Sequence, residues 1–245
     1  MSEIASIKNK LIEKLWIPKA IKGGSIFYPR LIKNKRMKLL TLTNNENFQE
    51  IVKFVENKLT HKKFIIAWNH DRFKAIRLET EAYKTLGATR YEDSIVTSSH
   101  PVFDHFPFDI INLDFSSQEP ESENERIENE IRGLEKTIQM QKGRGQDLKG
   151  FVLIYTTLIN SRELNCETII QNCDRTRIQG WSGLSLNGFT PNATDQTEKI
   201  RIIETVLNQL SSKYNYNIEL NKANIKLSEE EELICSIAGI IKYRR

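Results

Sequence analysis

Hydrophobic residues along this chain form short continuous runs, separated by stretches in which apolar residues recur every three or four positions. A continuous run is typical of a strand buried on both faces of a sheet, whereas the wider spacing is typical of an amphipathic helix. The strand-like runs are 37–43, 63–68, 95–97, 108–115 and 151–157. Helical spacing occurs in 48–59, 73–83, 127–138 and 199–210. This alternation predicts an α/β fold with a mainly parallel sheet and helices on both faces.

The end of the chain has a different pattern. Two strand-like runs, 216–227 and 233–243, are separated only by Ser228 and four consecutive glutamates. A connection this short joins antiparallel strands, because parallel strands need a crossover of a dozen or more residues. We therefore expect a C-terminal antiparallel hairpin and a seven-stranded sheet, in one domain spanning 39–245. The polar stretch 119–149 is predicted to be a long exposed helix, and 166–191 to be irregular.

Residues 1–38 form a basic leader, with ten Lys or Arg against two Glu, so its local charge of +8 exceeds the +4 of the whole chain. Apolar residues at helical spacing predict an amphipathic helix that stops before Pro18. The cations and aromatic residues that follow would suit contact with a phosphate backbone and with bases. A solvated leader packed against the domain explains the same pattern. The candidate nucleic-acid contacts are Lys22, Arg30, Lys33, Lys35 and Arg36.

Composition argues against several classes of protein. The 245 residues are 39% hydrophobic and 28% charged, as in a globular protein, and no apolar stretch approaches the roughly 18–20 residues of a membrane helix. No secretory segment opens the chain, so we expect a cytoplasmic protein without a membrane partner. Three cysteines without CxxC spacing and four histidines without ligand spacing predict reduced thiols and no metal site.

The strongest candidate for chemistry is Asp114, which stands near the end of the run 108–115 and is followed by small polar residues. In open α/β sheets the ligand crevice lies beyond the carboxyl ends of the strands. Asp114 is therefore our candidate catalytic residue. The alternative interpretation is that it only caps the following turn or helix.

The order of these elements resembles the class I S-adenosylmethionine-dependent methyltransferase domain, over roughly 37–245. In that family a glycine-rich loop follows the first strand, an acidic residue at the end of the second holds the ribose, and an acidic motif ends the fourth. The resemblance implies a Rossmann-like methyltransferase architecture, S-adenosylmethionine as cofactor, and Asp114 at the end of the fourth strand. The implied cofactor-binding residues are Thr43, Asn44, Asn69, Asp71 and Asp93.

The chain departs from the family pattern at two points. No glycine lies between Gly24 and Gly87, so the cofactor loop has no residue without a Cβ. Asn69 stands where a carboxylate would accept the ribose hydroxyls. Two hypotheses stay open. One is an atypical methyltransferase acting on or with nucleic acid, and the other is a catalytically inactive methyltransferase-fold subunit that binds nucleic acid or a protein partner.

Overall fold

The structure is a computed structural model, which describes residues 3–42, 49–68, 105–116, 123–144, 149–160, 162–175, 186, 188–227 and 232–244. Six strands form its central sheet: β1 (Leu39–Leu42), β2 (Ile65–Trp68), β3 (Ile110–Asp114), β4 (Gly150–Ile159), β7 (Tyr216–Lys226) and β8 (Leu233–Tyr243). Their order is β2-β1-β3-β4-β8-β7. The first four strands are parallel, and the hairpin β7–β8 is antiparallel and joins the sheet through β4.

This sheet confirms the predicted α/β fold, with its mainly parallel strands and C-terminal antiparallel hairpin. Seven strands were expected, and six of them lie in the central sheet of the described residues. The strand predicted at 95–97 and the helix predicted at 73–83 lie outside the described residues. A separate two-stranded sheet, β5 (Leu164–Asn165) with β6 (Asn192–Ala193), was not predicted.

Helices cover both faces of the sheet because successive strand residues point to opposite sides. On one face pack α1 (Glu3–Leu11), a π-helical turn (Ile12–Trp16), α2 (Ile17–Phe27), α3 (Pro29–Lys33) and α4 (Gln49–Glu56). On the other face pack α5 (Glu123–Arg144), α6 (Cys166–Arg175) and α7 (Gln196–Lys213). Two successive residues of β3 illustrate this: Ile110 packs in the hydrophobic cluster under α1–α4, and Ile111 packs in the cluster under α5–α7.

The sequence predicted that the first helix stops before Pro18, but the helical stretch continues past it. It runs from Glu3 to Phe27, with the π-helical turn between α1 and α2. Ile17, just before the proline, donates its N–H to Ile12 five residues back. Pro18 then falls in the first turn of α2, where a helix tolerates a residue without an N–H.

Two other expectations are wrong. The polar stretch 119–149 contains the predicted helix, α5, but that helix is largely buried: Glu130 and Glu135 are fully covered. The stretch 166–191, predicted to be irregular, begins with the ten-residue helix α6.

Cys166 and Cys235 are buried free thiols. None of the described helices is long and apolar enough to cross a lipid bilayer.

Candidate functional site

The carboxyl ends of the parallel strands lie along one edge of the sheet. Leu42 and Trp68, the last residues of β1 and β2, are register partners, and Thr41 pairs with Asn112 of β3. The chain passes from β1 to β2 on one side and then crosses to β3 on the other, so the strand order reverses between β1 and β3. Ligands of open α/β sheets bind at such a reversal. Asp114, the last residue of β3, lies beside it.

Asp114 lies at the end of its strand, as predicted, and its side chain is buried. It is 4% exposed. Its Oδ1 accepts hydrogen bonds from the backbone N–H of Ser116 at 3.1 Å and from the Ser116 hydroxyl at 2.6 Å. Its Oδ2 lies 2.9 Å from Nζ of Lys8, in the N-terminal helix α1. The candidate carboxylate is thus held from one side by its own turn and from the other by the leader.

A second polar group lies on the same face of β3, one strand period before Asp114. Asn112 is fully buried and donates from Nδ2 to Thr41 Oγ1 of β1 at 3.0 Å. Its Oδ1 has no hydrogen-bond partner among the described residues. Buried acceptors are nearly always paired. This oxygen is therefore a candidate acceptor for a ligand donor.

The opposite face carries a buried ionic network that sequence reasoning missed. Arg126 of α5 lies 2.8 Å from Glu123 and 2.6 Å from Glu130, and all three side chains are at most 1% exposed. Tyr155 of β4 donates its hydroxyl to Glu130, and Thr157 of the same strand does so at 3.0 Å. The i,i+3 and i,i+4 spacing in α5 was visible in the sequence, but it is equally typical of a solvated helix face.

Lys199 of α7 extends this network. It is fully buried, donates to the carbonyl oxygen of Asn160 at 2.8 Å and lies 3.7 Å from Glu123. Burial lowers its pKa. The network balances two carboxylates with two cations and fastens α5 and α7 to the end of β4. No three described His, Cys, Asp or Glu side chains form a group that could hold a metal ion.

All five predicted cofactor-binding residues lie outside the described residues. They are Thr43, Asn44, Asn69, Asp71 and Asp93. Two of them directly follow the paired strand ends Leu42 and Trp68. Their part in a site stays a prediction.

The predicted nucleic-acid residues do not lie near Asp114. Four of them precede β1, at the amino edge of the sheet, and are exposed; these are Arg30, Lys33, Lys35 and Arg36. Lys22, in α2, is exposed and ion-paired with Glu219 of β7 at 2.6 Å. The structure therefore separates the basic surface from the candidate site by the length of the strands.

No protein-family model matches this chain, and no curated protein matches it. Among solved structures, the chain is similar to the methyltransferase domain of bacterial CtHen1-C, with 10% identity over 94% of this chain and 100% of that one and a TM-score of 0.44. It is also similar to a SAM-dependent methyltransferase from Methanosarcina mazei, with 12% identity over 88% and 98% of the two chains and a TM-score of 0.41.

A third similar structure is the plantazolicin methyltransferase BpumL, solved in complex with a pentazolic desmethylPZN analog and SAH. It shares 10% identity over 97% of this chain and 89% of that one, with a TM-score of 0.36. Similarity at this level concerns the arrangement of helices and strands. It does not assign an activity or a ligand to this chain.

Proposed function

We propose that this chain is a methyltransferase-type domain that binds S-adenosylmethionine at the carboxyl edge of its sheet, between β1 and β3. One observation carries the proposal. The strand order reverses at this point, and a buried carboxylate, Asp114, ends the strand beside it. If Asp114 only capped the turn at Ser116, its carboxylate would be explained, but its position beside the reversal of strand order would not.

The side chains at this edge suit a cationic ligand. S-adenosylmethionine carries a sulfonium and an α-ammonium. Asp114 already accepts an ammonium group, that of Lys8, at 2.9 Å. Asn112 offers a second buried oxygen without a partner among the described residues. An acceptor-rich set of this kind fits a ligand with positive charge and N–H donors.

The cofactor, when bound, would supply a methyl group already activated by its sulfonium. The protein then has to align the attacking atom and exclude water, with little acid–base work. Asp114 suits alignment, because Ser116 fixes its Oδ1 through two hydrogen bonds and burial keeps water away. The proposed contacts on the rest of the cofactor are Thr43, Asn44, Asn69, Asp71 and Asp93.

Calorimetric titration with S-adenosylmethionine tests this proposal. We expect Asp114→Asn to weaken binding about tenfold or more, because a charge-assisted hydrogen bond is lost. Asp109→Asn is the matched control, since Asp109 is also a buried carboxylate but lies five residues earlier, about 17 Å away along the strand. No heat at millimolar ligand, in both the natural chain and a Lys8→Ala variant, would contradict the proposal.

A catalytically inactive subunit is the second candidate function. The observation that favours it is the ion pair that already occupies Asp114. The two candidates differ in turnover. An active enzyme transfers a labelled methyl group from S-adenosylmethionine to RNA, DNA or protein, whereas a binding subunit retains at most the unreacted cofactor.

We further propose that the amino edge of the sheet contacts nucleic acid. The leader cations are not alone there. Tyr28, next to them, donates its hydroxyl to the carbonyl oxygen of Gly150 at 2.9 Å. Gly150 follows the exposed Lys149 and is the register partner of the exposed Lys242. Cations from three separate segments thus share one edge, as a phosphate-binding surface requires.

Neutralising Lys33, Lys35 and Arg36 to Gln tests this surface. We expect nucleic-acid affinity to fall and its dependence on salt to weaken, by about 0.9 in the log–log slope for each phosphate that the variant no longer neutralises. A triple Gln variant of Lys10, Lys14 and Lys226 is the matched control. All three lysines are exposed, Lys226 ends β7 at the opposite edge, and Lys10 and Lys14 belong to the helical stretch that reaches Asp114 through Lys8. Equal losses in the two triple variants would contradict the proposed surface.

A further inference from the structure

Lys8 of α1 places its ammonium on the carboxylate that the proposed function assigns to a ligand. Its Nζ lies 2.9 Å from Asp114 Oδ2, and the two side chains are 4% and 5% exposed. The contact joins the leader to the carboxyl edge, since Asp114 ends β3. An ammonium group is also the group that an amine-bearing ligand would bring to this carboxylate.

The helix that carries Lys8 is short and has few buried apolar anchors. These anchors are Ile7 and Leu11, whereas Ile4, one turn earlier, is 38% exposed. The five-residue π-helical turn Ile12–Trp16 separates α1 from the next helix. Such turns are frequent at functional sites and at bends in helices.

The next helix, α2, is anchored firmly on the sheet. Trp16, the last residue of the π-helical turn and the N-cap of α2, donates to Ser236 of β8 at 2.7 Å. Lys19 is buried and donates to Asn221 of β7 at 2.5 Å. Further along, Gly23 packs so closely that an added Cβ would lie 2.3 Å from a methyl group of Val152. Movement of α1 about the π-helical turn would leave these contacts in place.

We propose that α1 is a lid over the candidate site and that Lys8 is its internal ligand, occupying Asp114 in place of an ammonium or amine group of the bound molecule. The inference rests on the proposed function for the identity of that molecule. Lys8 and the ligand compete for a single carboxylate. The site opens when α1 moves away about the π-helical turn.

Competition of this kind lowers the apparent affinity by the fraction of molecules in which the site is open. If the ion pair keeps the lid closed in about nine molecules of ten, the ligand loses about tenfold in affinity. Removing the Lys8 ammonium should restore the roughly tenfold affinity that the closed lid takes away. Removing the Asp114 carboxylate also frees the lid, but it takes away the group that the ligand needs.

Two variants therefore separate a lid from a purely structural ion pair. Lys8→Ala and Asp114→Asn should both accelerate hydrogen exchange of the amides of 3–11, without ligand, and leave those of 17–27 unchanged. In calorimetry with S-adenosylmethionine, Lys8→Ala should bind the cofactor about tenfold more tightly than the natural chain, and Asp114→Asn about tenfold more weakly. A structural ion pair would shift both affinities in the same direction. Lys19→Ala, which breaks a different buried contact of the leader, should give no gain in affinity.

The outcomes distinguish this inference from the proposed function. If the natural chain binds S-adenosylmethionine and Lys8→Ala binds it no more tightly, the lid is overturned and the proposed function stands. If no variant binds, but 3–11 exchange faster in both Lys8→Ala and Asp114→Asn, the cofactor is wrong and the lid stands. Unchanged exchange in both variants overturns the lid. Lys8→Gln, which keeps most of the side chain, repeats each measurement if the alanine variant does not fold.

Discussion

Trp16 donates its indole N–H to the hydroxyl of Ser236 at 2.7 Å, across 220 positions of sequence. Ser236 in turn bonds the hydroxyl of Thr156 in β4 at 2.8 Å. Trp16 is 1% exposed and belongs to the same hydrophobic cluster as Ile110 and Ile154 of the sheet. The leader therefore covers one face of the sheet and contributes to its core.

Replacing Trp16 tests this contribution. We expect Trp16→Ala to lower the free energy of unfolding by about 3–5 kcal/mol, because a large buried side chain leaves a cavity. Trp16→Phe should cost less, about 1 kcal/mol for the lost hydrogen bond plus some loss of packing. Urea unfolding measures the free energy of unfolding of both variants, and an unchanged m-value shows that the change is one of stability. A cost below about 1 kcal/mol for the alanine variant would show that the leader is dispensable for the core.

Asp109, at the amino end of β3, predicts a dependence of stability on pH. It accepts the backbone N–H of Lys38 at 2.8 Å, and burial raises its pKa from 3.8 to about 6. The native state therefore binds this proton more tightly than the unfolded chain, so this residue's contribution to stability falls as pH rises from about 4 to about 6.

Asp109→Asn should remove that dependence, because an amide keeps an acceptor oxygen for Lys38 and carries no charge to desolvate. We expect the variant to be more stable at pH 7 by about 1–3 kcal/mol. Thermal unfolding from pH 4 to pH 7 measures the difference. Asp195→Asn is the control, since Asp195 is an exposed helix cap and Asn caps a helix equally well. A less stable Asp109→Asn variant would contradict the role assigned to burial.

The sheet was predictable because its parallel strands leave a local signal. Runs such as 108–115 and 151–157 have apolar residues on both faces of the strand, since helices cover both sides of the sheet. The position of Asp114 at the carboxyl edge followed from the same pattern. Its burial did not, because the covering residue, Lys8, lies more than a hundred positions away.

The buried charges were hidden for a related reason. The pattern of α5, rich in Glu and Arg, is typical of an exposed helix face. Glu130 is an interior residue because α5 packs against β4, where Tyr155 and Thr157 donate to its carboxylate. Helix continuation past Pro18 was also missed. The rule that a helix stops before proline assumes an α-helical turn, and here the preceding turn is π-helical.

Arg126 is the central cation of the buried network, and its loss should be costly. Arg126→Met keeps much of the volume but leaves Glu123 and Glu130 buried without their nearest counterion. We expect a loss of about 3–5 kcal/mol in the free energy of unfolding. The double variant Arg126→Met with Glu130→Gln should recover part of this loss, because one buried charge is also removed. Denaturant unfolding of the single and double variants gives the coupling, and strictly additive costs would contradict a shared network.

Gly150, the first residue of β4, lies where a side chain would meet the backbone of the neighbouring strand. A Cβ there would lie 2.3 Å from the carbonyl oxygen of Ile241 in β8 and 2.4 Å from the ring of Phe27. The ring can shift, but the carbonyl belongs to a backbone paired with β4. We expect Gly150→Ala to cost about 1–3 kcal/mol or more in the free energy of unfolding, measured in urea. Gly239→Ala is the matched control, because the nearest atoms to its Cβ would belong to the side chains of Ile218 and Leu220, at 3.1–3.2 Å. An equal cost at the two positions would contradict the backbone clash.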